Sequence, residues 1–154
     1  MIKNDEYFMR IALEEAELAF SKGEIPVGAV IVHENEIIAR GHNLKELNKD
    51  VTAHAEIVAI RTASQQINNW RLEDMTMYVT LEPCPMCAGA IVQSRFKRLV
   101  FGALDNREGA VVSSKHIVEN NHNHNMLVSS KILEEECQNI INKFLNSKRR
   151  LVNE

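Results

Sequence analysis

The chain is poor in the residues that mark specialised classes of protein, and each shortage excludes something. Three cysteines among 154 residues are an odd number, too few for the disulfide framework of a small secreted domain. With only three prolines and six glycines, no linker or repeat stands out, so residues 1–154 read as a single domain. No apolar run approaches the roughly 20 residues that span a bilayer. The start, Met1-Ile2-Lys3-Asn4-Asp5-Glu6, is charged and lacks the apolar centre of a signal peptide. A formal net charge of -3 creates no general field for nucleic acid, so any such contact must be local. The remainder, 45% hydrophobic and 25% charged, is ordinary globular composition, and a cytoplasmic location is expected.

What is present is an alternation of helical and extended patterns. From Asp5 to Lys22 the apolar residues Phe8, Ala12, Ala16 and Ala19 recur at helical spacing, and Gly23 supplies a stop. Ile25 to Val32, the polar turn His33-Glu34-Asn35-Glu36, and Ile37-Ile38-Ala39 read as a hairpin at one edge of a sheet. After a polar loop, Asn43 to Asp50, Thr52 can cap a helix that runs to about Ser64. Met77 to Leu81 is a strand, Cys84 opens a helix through Val92, and Leu99-Val100-Phe101 is a further strand. The stretch from Asp105 to Asn125 is mostly loop, followed by a short strand, Met126-Leu127-Val128, and by Ser130 as a cap. Leu133, Cys137, Ile140, Ile141, Phe144 and Leu145 form the buried stripe of a final helix ending in Lys148-Arg149-Arg150. This order predicts an α/β fold with helices packed on a mixed sheet.

Two short stretches carry chemistry: His54-Ala55-Glu56 and Pro83-Cys84-Pro85-Met86-Cys87. A Cys-x-x-Cys at the mouth of a helix sets two thiolates one turn apart, and a distant imidazole completes three ligands. The fourth tetrahedral position stays open for a water, so the pattern predicts a catalytic Zn2+ on His54, Cys84 and Cys87 rather than a structural clip. Charge then gives Glu56 its task. Two thiolates and a neutral imidazole cancel the charge of the ion, which acidifies water less than an all-histidine site would, so a carboxylate must carry the proton. Both ligand groups fall at helix starts, where free amides favour thiolates. Such a site can add water to an amidine-like carbon and protonate the departing amine, which is hydrolytic deamination. Peptide hydrolysis needs similar parts, and these residues alone do not separate the two. A redox dithiol or a structural zinc site ranks behind, because neither explains the His-x-Glu upstream.

Together the two stretches form the signature of the zinc nucleobase deaminases, and the chain resembles most closely the bacterial tRNA wobble-adenosine deaminases. The resemblance is carried by Pro26-Val27-Gly28-Ala29-Val30, Thr52-Ala53-His54-Ala55-Glu56-Ile57, Tyr78-Val79-Thr80-Leu81-Glu82-Pro83-Cys84, Met86-Cys87-Ala88-Gly89-Ala90 and Arg98-Leu99-Val100-Phe101-Gly102-Ala103. It implies a three-layer α/β/α cytidine deaminase-like fold with a five-stranded mixed sheet, and a homodimer. It further implies conversion of adenosine to inosine at the first anticodon position, with a tRNA anticodon loop as partner. By the same resemblance His54, Cys84 and Cys87 hold zinc, Glu56 shuttles protons, and the Cys84 amide fixes the attacking water or its product. Asn43 matches the family position that hydrogen-bonds the flipped base, and Asp105 lies in the loop for neighbouring nucleotides. The chain departs from close relatives at Val112-Ser113 and at Asn123-His124-Asn125, where an arginine is missing. That bears on dimer or RNA contacts and leaves the zinc ligands untouched.

On the last helix Phe144 can stack a base while Lys148, Arg149 and Arg150 hold phosphates. A core phenylalanine with a basic helix end explains the same pattern, and the resemblance favours RNA contact at Phe144 and Arg149. Cys137 reads as a buried inert thiol, His122 and His124 as loop residues, and Trp70 with Arg71 as a cover for the sheet. His33, His42 and His116 show no partner pattern. Two alternatives stand beside the main reading: a small-molecule deaminase of the same fold acting on guanine or cytosine, and a non-catalytic zinc-stabilised RNA-binding module.

Overall fold

Asn4 starts the first helix, α1 (Asp5–Ser21): its side-chain oxygen accepts the Tyr7 amide at 2.9 Å, and Asp5 and Glu6 place negative charge at the positive end of the dipole. The computed structural model describes residues 2–118 and 125–153, without the side chains of 151–153. Strands β1 (Gly28–His33) and β2 (Glu36–His42) form the expected hairpin. Its two turn residues, Glu34 and Asn35, take φ of 50° and 67°, the conformation that matches the twist of a two-residue hairpin. The loop after β2 holds one short helix, α2 (Lys45–Asn48). Then follow α3 (Ala55–Ile67), β3 (Thr76–Leu81), α4 (Pro85–Gln93), β4 (Arg98–Ala103), β5 (Leu127–Ser129) and α5 (Glu134–Asn153).

The five strands lie in the order β2-β1-β3-β4-β5. β1 runs antiparallel to β2 and β3, while β3, β4 and β5 are parallel, so the sheet is mixed as expected. Alternation along the strands divides the core. Ala29, Ile31, Met77, Val79, Leu99 and Phe101 share a cluster with Ala55, Ala59 and Ala63 of α3 and Ala88 and Ile91 of α4. Val30, Val32, Tyr78 and Val100 belong to a second cluster, with Phe8, Met9 and Ala12 of α1 and Cys137 of α5. The result is three layers, α/β/α.

The three alanines of α3 bury little area each, and what they contribute is proximity. A Cβ added to Gly41 of β2 would lie 2.5 Å from the Ala55 carbonyl oxygen and 2.7 Å from the Ala59 nitrogen. The first turn of α3 therefore rests directly on β2, which fixes where its N-terminus ends up.

Several expectations are corrected. Thr52 does not cap α3: its hydroxyl donates to Asp50 Oδ1 at 2.7 Å, and His54 occupies the cap position without a side-chain cap bond. Ser130 does not cap α5, because Lys131 and Leu133 turn the chain through φ of 64° and 53° before the helix starts at Glu134. α3 continues three residues past Ser64, to Ile67, where Asn68 takes the left-handed conformation (φ 54°) that ends it. Leu145 is exposed and leaves the predicted stripe; Cys137 and Phe144 are buried, Leu133 packs on the same cluster as Cys137, Ile141 packs on the other cluster, and Ile140 is half-buried. Trp70 is also exposed, its ring covered on one face by the Arg71 guanidinium 4.5 Å from the centroid. His122 and His124 lie outside the described residues. Among the described residues no helix is long and apolar enough to cross a membrane.

One carboxylate ties the helical layer to the sheet. Arg98 at the head of β4 donates twice to Asp5, each bond 2.7 Å, the Tyr78 hydroxyl donates to Asp5 Oδ1 at 2.8 Å, and Arg98 also reaches Ser129 Oγ at 2.9 Å. The hydrogen bonds from Arg98 hold the Asp5 carboxyl below its ordinary value of 3.8, although burial opposes them. A depressed folded-state pKa stabilises above the unfolded value and ceases to do so as the pH falls through the folded one. Asp5→Asn is therefore expected to cost about 1–2 kcal/mol in urea unfolding at pH 7. The difference from the parent should shrink as the pH drops below 3.8, and an equal loss at both ends would contradict this account.

Candidate active site

Two helix starts meet at one end of the sheet. His54 is the N-cap of α3, and Cys84 is the N-cap of α4, where Pro85 takes the first helical position that tolerates a missing N–H. One turn into α4, Cys87 comes round to the same side. His54 Nδ1 stands 3.7 Å from Cys84 Sγ and 3.6 Å from Cys87 Sγ, and the three donor atoms all lie within 4.8 Å of one another. Metal bonds of about 2.3 Å to sulfur and about 2.05 Å to nitrogen, opened to a tetrahedral angle, put S and N about 3.6 Å apart. The group therefore fits a tetrahedral ion of that size, with a fourth position to spare.

The local electrostatics are strongly polarised. A hydrogen bond from Cys87 outweighs burial and, with His54, brings the Cys84 thiol down to about 4. That same bond, with burial behind it, pushes the Cys87 thiol up, and the Cys84 contact raises the His54 imidazole. Glu56, two residues into the site from His54, is 4% exposed. Burial raises its carboxyl to about 7, against hydrogen bonds from its own amide and from Cys87. A carboxyl of that affinity exchanges protons near neutrality, which is what a proton carrier requires.

Above the three donors opens a cavity of about 440 Å³, lined by His54, Glu56 and Cys84 and walled by Asn43, Val51, Met86 and Asp105. The volume suits one small organic group. Asn43 is 7% exposed, and its Oδ1 is buried without a hydrogen-bond partner, the only such side-chain atom among the described residues. An orphaned buried acceptor costs about 1–3 kcal/mol, so this oxygen stands ready for a donor on whatever enters. Asp105 Oδ1 accepts the amides of Arg107 and Glu108, both at 3.1 Å, which curls its loop tightly at the cavity wall.

The structure thus brings together His54, Glu56, Cys84, Cys87, Asn43 and Asp105. It does not bring Phe144 or Arg149 to the cavity. The Phe144 ring is buried edge-on against Phe20, centroids 5.7 Å apart, with Lys148 Nζ over its face at 5.4 Å, so it is a packing side chain and offers no face to a base. Arg149 is exposed on α5.

Three supporting groups escaped the sequence reading. Glu24, 1% exposed, accepts the amides of Glu46 (3.0 Å) and Leu47 (2.7 Å) and so caps α2 in place of Leu44, which cannot. His42 precedes Asn43 and is gripped at both nitrogens: Lys22 Nζ donates to Nε2 at 2.9 Å, leaving Nδ1 to donate to Glu15 at 3.0 Å. Glu82 accepts from the loop that carries Asp105. The available signal was an isolated carboxylate in apolar company, as in Gly23-Glu24-Ile25 and Leu81-Glu82-Pro83.

Comparison with known proteins adds the identity of the scaffold. The family described as MafB19-like deaminase matches residues 3–149. The tRNA-specific adenosine deaminase of Bacillus subtilis is 47% identical over 147 residues, 95% of this chain and 91% of that protein. Its namesake from Haemophilus influenzae is 50% identical over 147 residues, 94% and 85% of the two chains. The chain belongs to the tRNA-specific adenosine deaminase family. A solved structure from a study of A-to-I editing by tRNA:A34 deaminases at the wobble position of transfer RNA superposes with a TM-score of 0.84 at 43% identity, over 87% of this chain and 98% of that one.

In this deaminase Cys84→Ser should leave fewer than one metal ion per three chains after dialysis against a weak chelator, read by elemental analysis of the purified protein, roughly the loss a missing thiolate entails. Full metal content in that variant would overturn the ligand assignment.

Proposed function

We propose that the chain deaminates adenosine to inosine hydrolytically at the wobble position of a tRNA, as one domain working in a cytoplasmic homodimer. The observation that carries the reading is the juxtaposition of three metal-ligand donors, a buried proton-exchanging Glu56 and the unpartnered Asn43 oxygen around a single cavity. The substrate follows from the names of relatives that match nearly the whole chain. Zn2+ on His54, Cys84 and Cys87 would supply a Lewis-acidic position that lowers the pKa of a water.

Glu56 takes a proton from the attacking water as its oxygen bonds to C6 of the adenine, and passes that proton to N1. It then takes the remaining hydroxyl proton and hands it to the amino nitrogen, so the C6–N bond breaks, ammonia leaves and inosine remains. Asn43 accepts a hydrogen bond from the base and orients it, and the Asp105 loop meets the neighbouring nucleotides. The exposed basic end of α5, Arg149 with Arg150, attracts the phosphates of the anticodon arm.

Purified protein should release ammonia and form inosine in an anticodon stem-loop carrying a wobble adenosine. Glu56→Ala should keep its metal and lose activity by about 10²-fold or more. Turnover of free guanine or cytosine with none on that RNA would make it a small-molecule deaminase instead, and a Glu56→Ala protein with undiminished function would make it a binding module.

Arg149→Ala combined with Arg150→Ala should weaken binding of the same stem-loop and make the log–log salt dependence shallower by about 1.4, the slope for two phosphate contacts on a single strand. An unchanged slope would return both arginines to a helix-end role.

A further inference from the structure

Between β3 and the ligand Cys84 stands a carboxylate that the deamination chemistry leaves without a task. Glu82 is 2% exposed and lines the cavity. Its oxygens accept the amides of Asp105 (3.0 Å), Val111 (3.1 Å), Val112 (2.8 Å) and Ser113 (2.9 Å), together with the Ser113 hydroxyl. A buried charge is costly unless hydrogen bonds compensate it, and here all of that compensation comes from one loop. Residues 105–113 are thus wrapped around this side chain. The backbone fastens the same two segments, through Glu82 N–H to the Ala103 carbonyl and Ala110 N–H to the Pro83 carbonyl, each at 2.9 Å. Gly109 completes the fit, since a Cβ there would lie 2.5 Å from Glu82 Oε1. The wrapped loop presents Asp105 and Glu108 to the cavity, and the chain that anchors it continues within two residues to Cys84.

We propose that Glu82 is a positioning residue for the RNA: its carboxylate clasps the Asp105–Ser113 loop to the turn that carries the metal ligands, and so sets how firmly the nucleotides beside the reacting base are held. The proposal rests on the reading of the cavity as a wobble-adenosine site. Because Glu82 acts through the loop and touches no reacting atom, its loss should appear in KM and leave the chemical step alone.

Two variants of the full-length, metal-loaded protein test this. Glu82→Gln keeps the size but turns an amide NH2 toward donors, and Ser113→Ala removes one donor while sparing the carboxylate. Glu82→Gln should speed hydrogen exchange at the amides of 105 and 111–113 without changing exchange in α3 and α4. With the stem-loop substrate its KM should rise about tenfold and its kcat stay within about twofold, with Ser113→Ala in the same direction at about threefold. In an Asp105→Ala background the Glu82→Gln effect on KM should fall below about twofold, because the side chain it positions is gone. An unchanged KM in both variants, or an undiminished effect in the Asp105→Ala background, overturns the proposal even if exchange quickens, since the clasp would then be structural only. A parent protein that forms no inosine in the stem-loop overturns the substrate reading, and the RNA role of the clasp falls with it. A parent that turns over normally beside silent variants sinks the clasp alone.

Discussion

The site exists because two helices begin at the same end of one sheet. A metal held by two sulfurs and one nitrogen tolerates displacements of only a few tenths of an ångström, and the donors come from α3 and α4, 30 and 33 residues apart in the chain. What holds α3 to that tolerance is the contact of its first turn with β2, where Gly41 and a run of alanines leave no side chain between backbones. α4 is held differently, by Pro85 at its first position and by Ala88 and Ile91 in the core beneath the sheet. In the first turn of α4 the Cys87 amide hydrogen-bonds the Cys84 sulfur and helps to lower that thiol, so the helix start that positions Cys84 also favours its ionisation.

Three buried carboxylates around the cavity show how environment assigns a task. Glu24 and Glu82 are each surrounded by backbone amides, and both serve to shape a loop, α2 with Asn43 on one wall and the Asp105 turn on the other. Glu56 is buried to a similar degree with far less hydrogen bonding, and its proton affinity rises toward neutrality. The same chemical group keeps an ordinary or lowered proton affinity where its lone pairs are filled and gains affinity where burial leaves them short of donors. The unpartnered oxygen of Asn43 is the neutral counterpart: a buried acceptor at the cavity wall without a protein donor.

Much of this was legible without coordinates, for local reasons. The hairpin turn, the stop after α1 and the candidate ligand triad all depend on spacing within a few residues or on a motif whose chemistry demands it. The errors came where near-equivalent residues or partners compete for one role. Thr52 is a competent cap, but Asp50 competes for its hydroxyl. Phe144 offers the same pattern whether it stacks on RNA or packs on Phe20, and only the meeting of α1 with α5 decides between them. Glu24, Glu82 and His42 went unread because their partners lie 20 or more residues away.

The amino-acid sequence alone determined His54, Cys84 and Cys87 as candidate ligands, Glu56 as candidate proton carrier and the layered α/β class, since each follows from residue type and period. Tertiary structure alone decided which carboxylate stays hydrogen-bonded and which is pushed toward neutrality, which loops wall the cavity, and where an acceptor is left open. The physical reason is that burial and hydrogen-bond satisfaction are properties of a place in the fold, and a residue acquires them only from neighbours that the chain brings from afar.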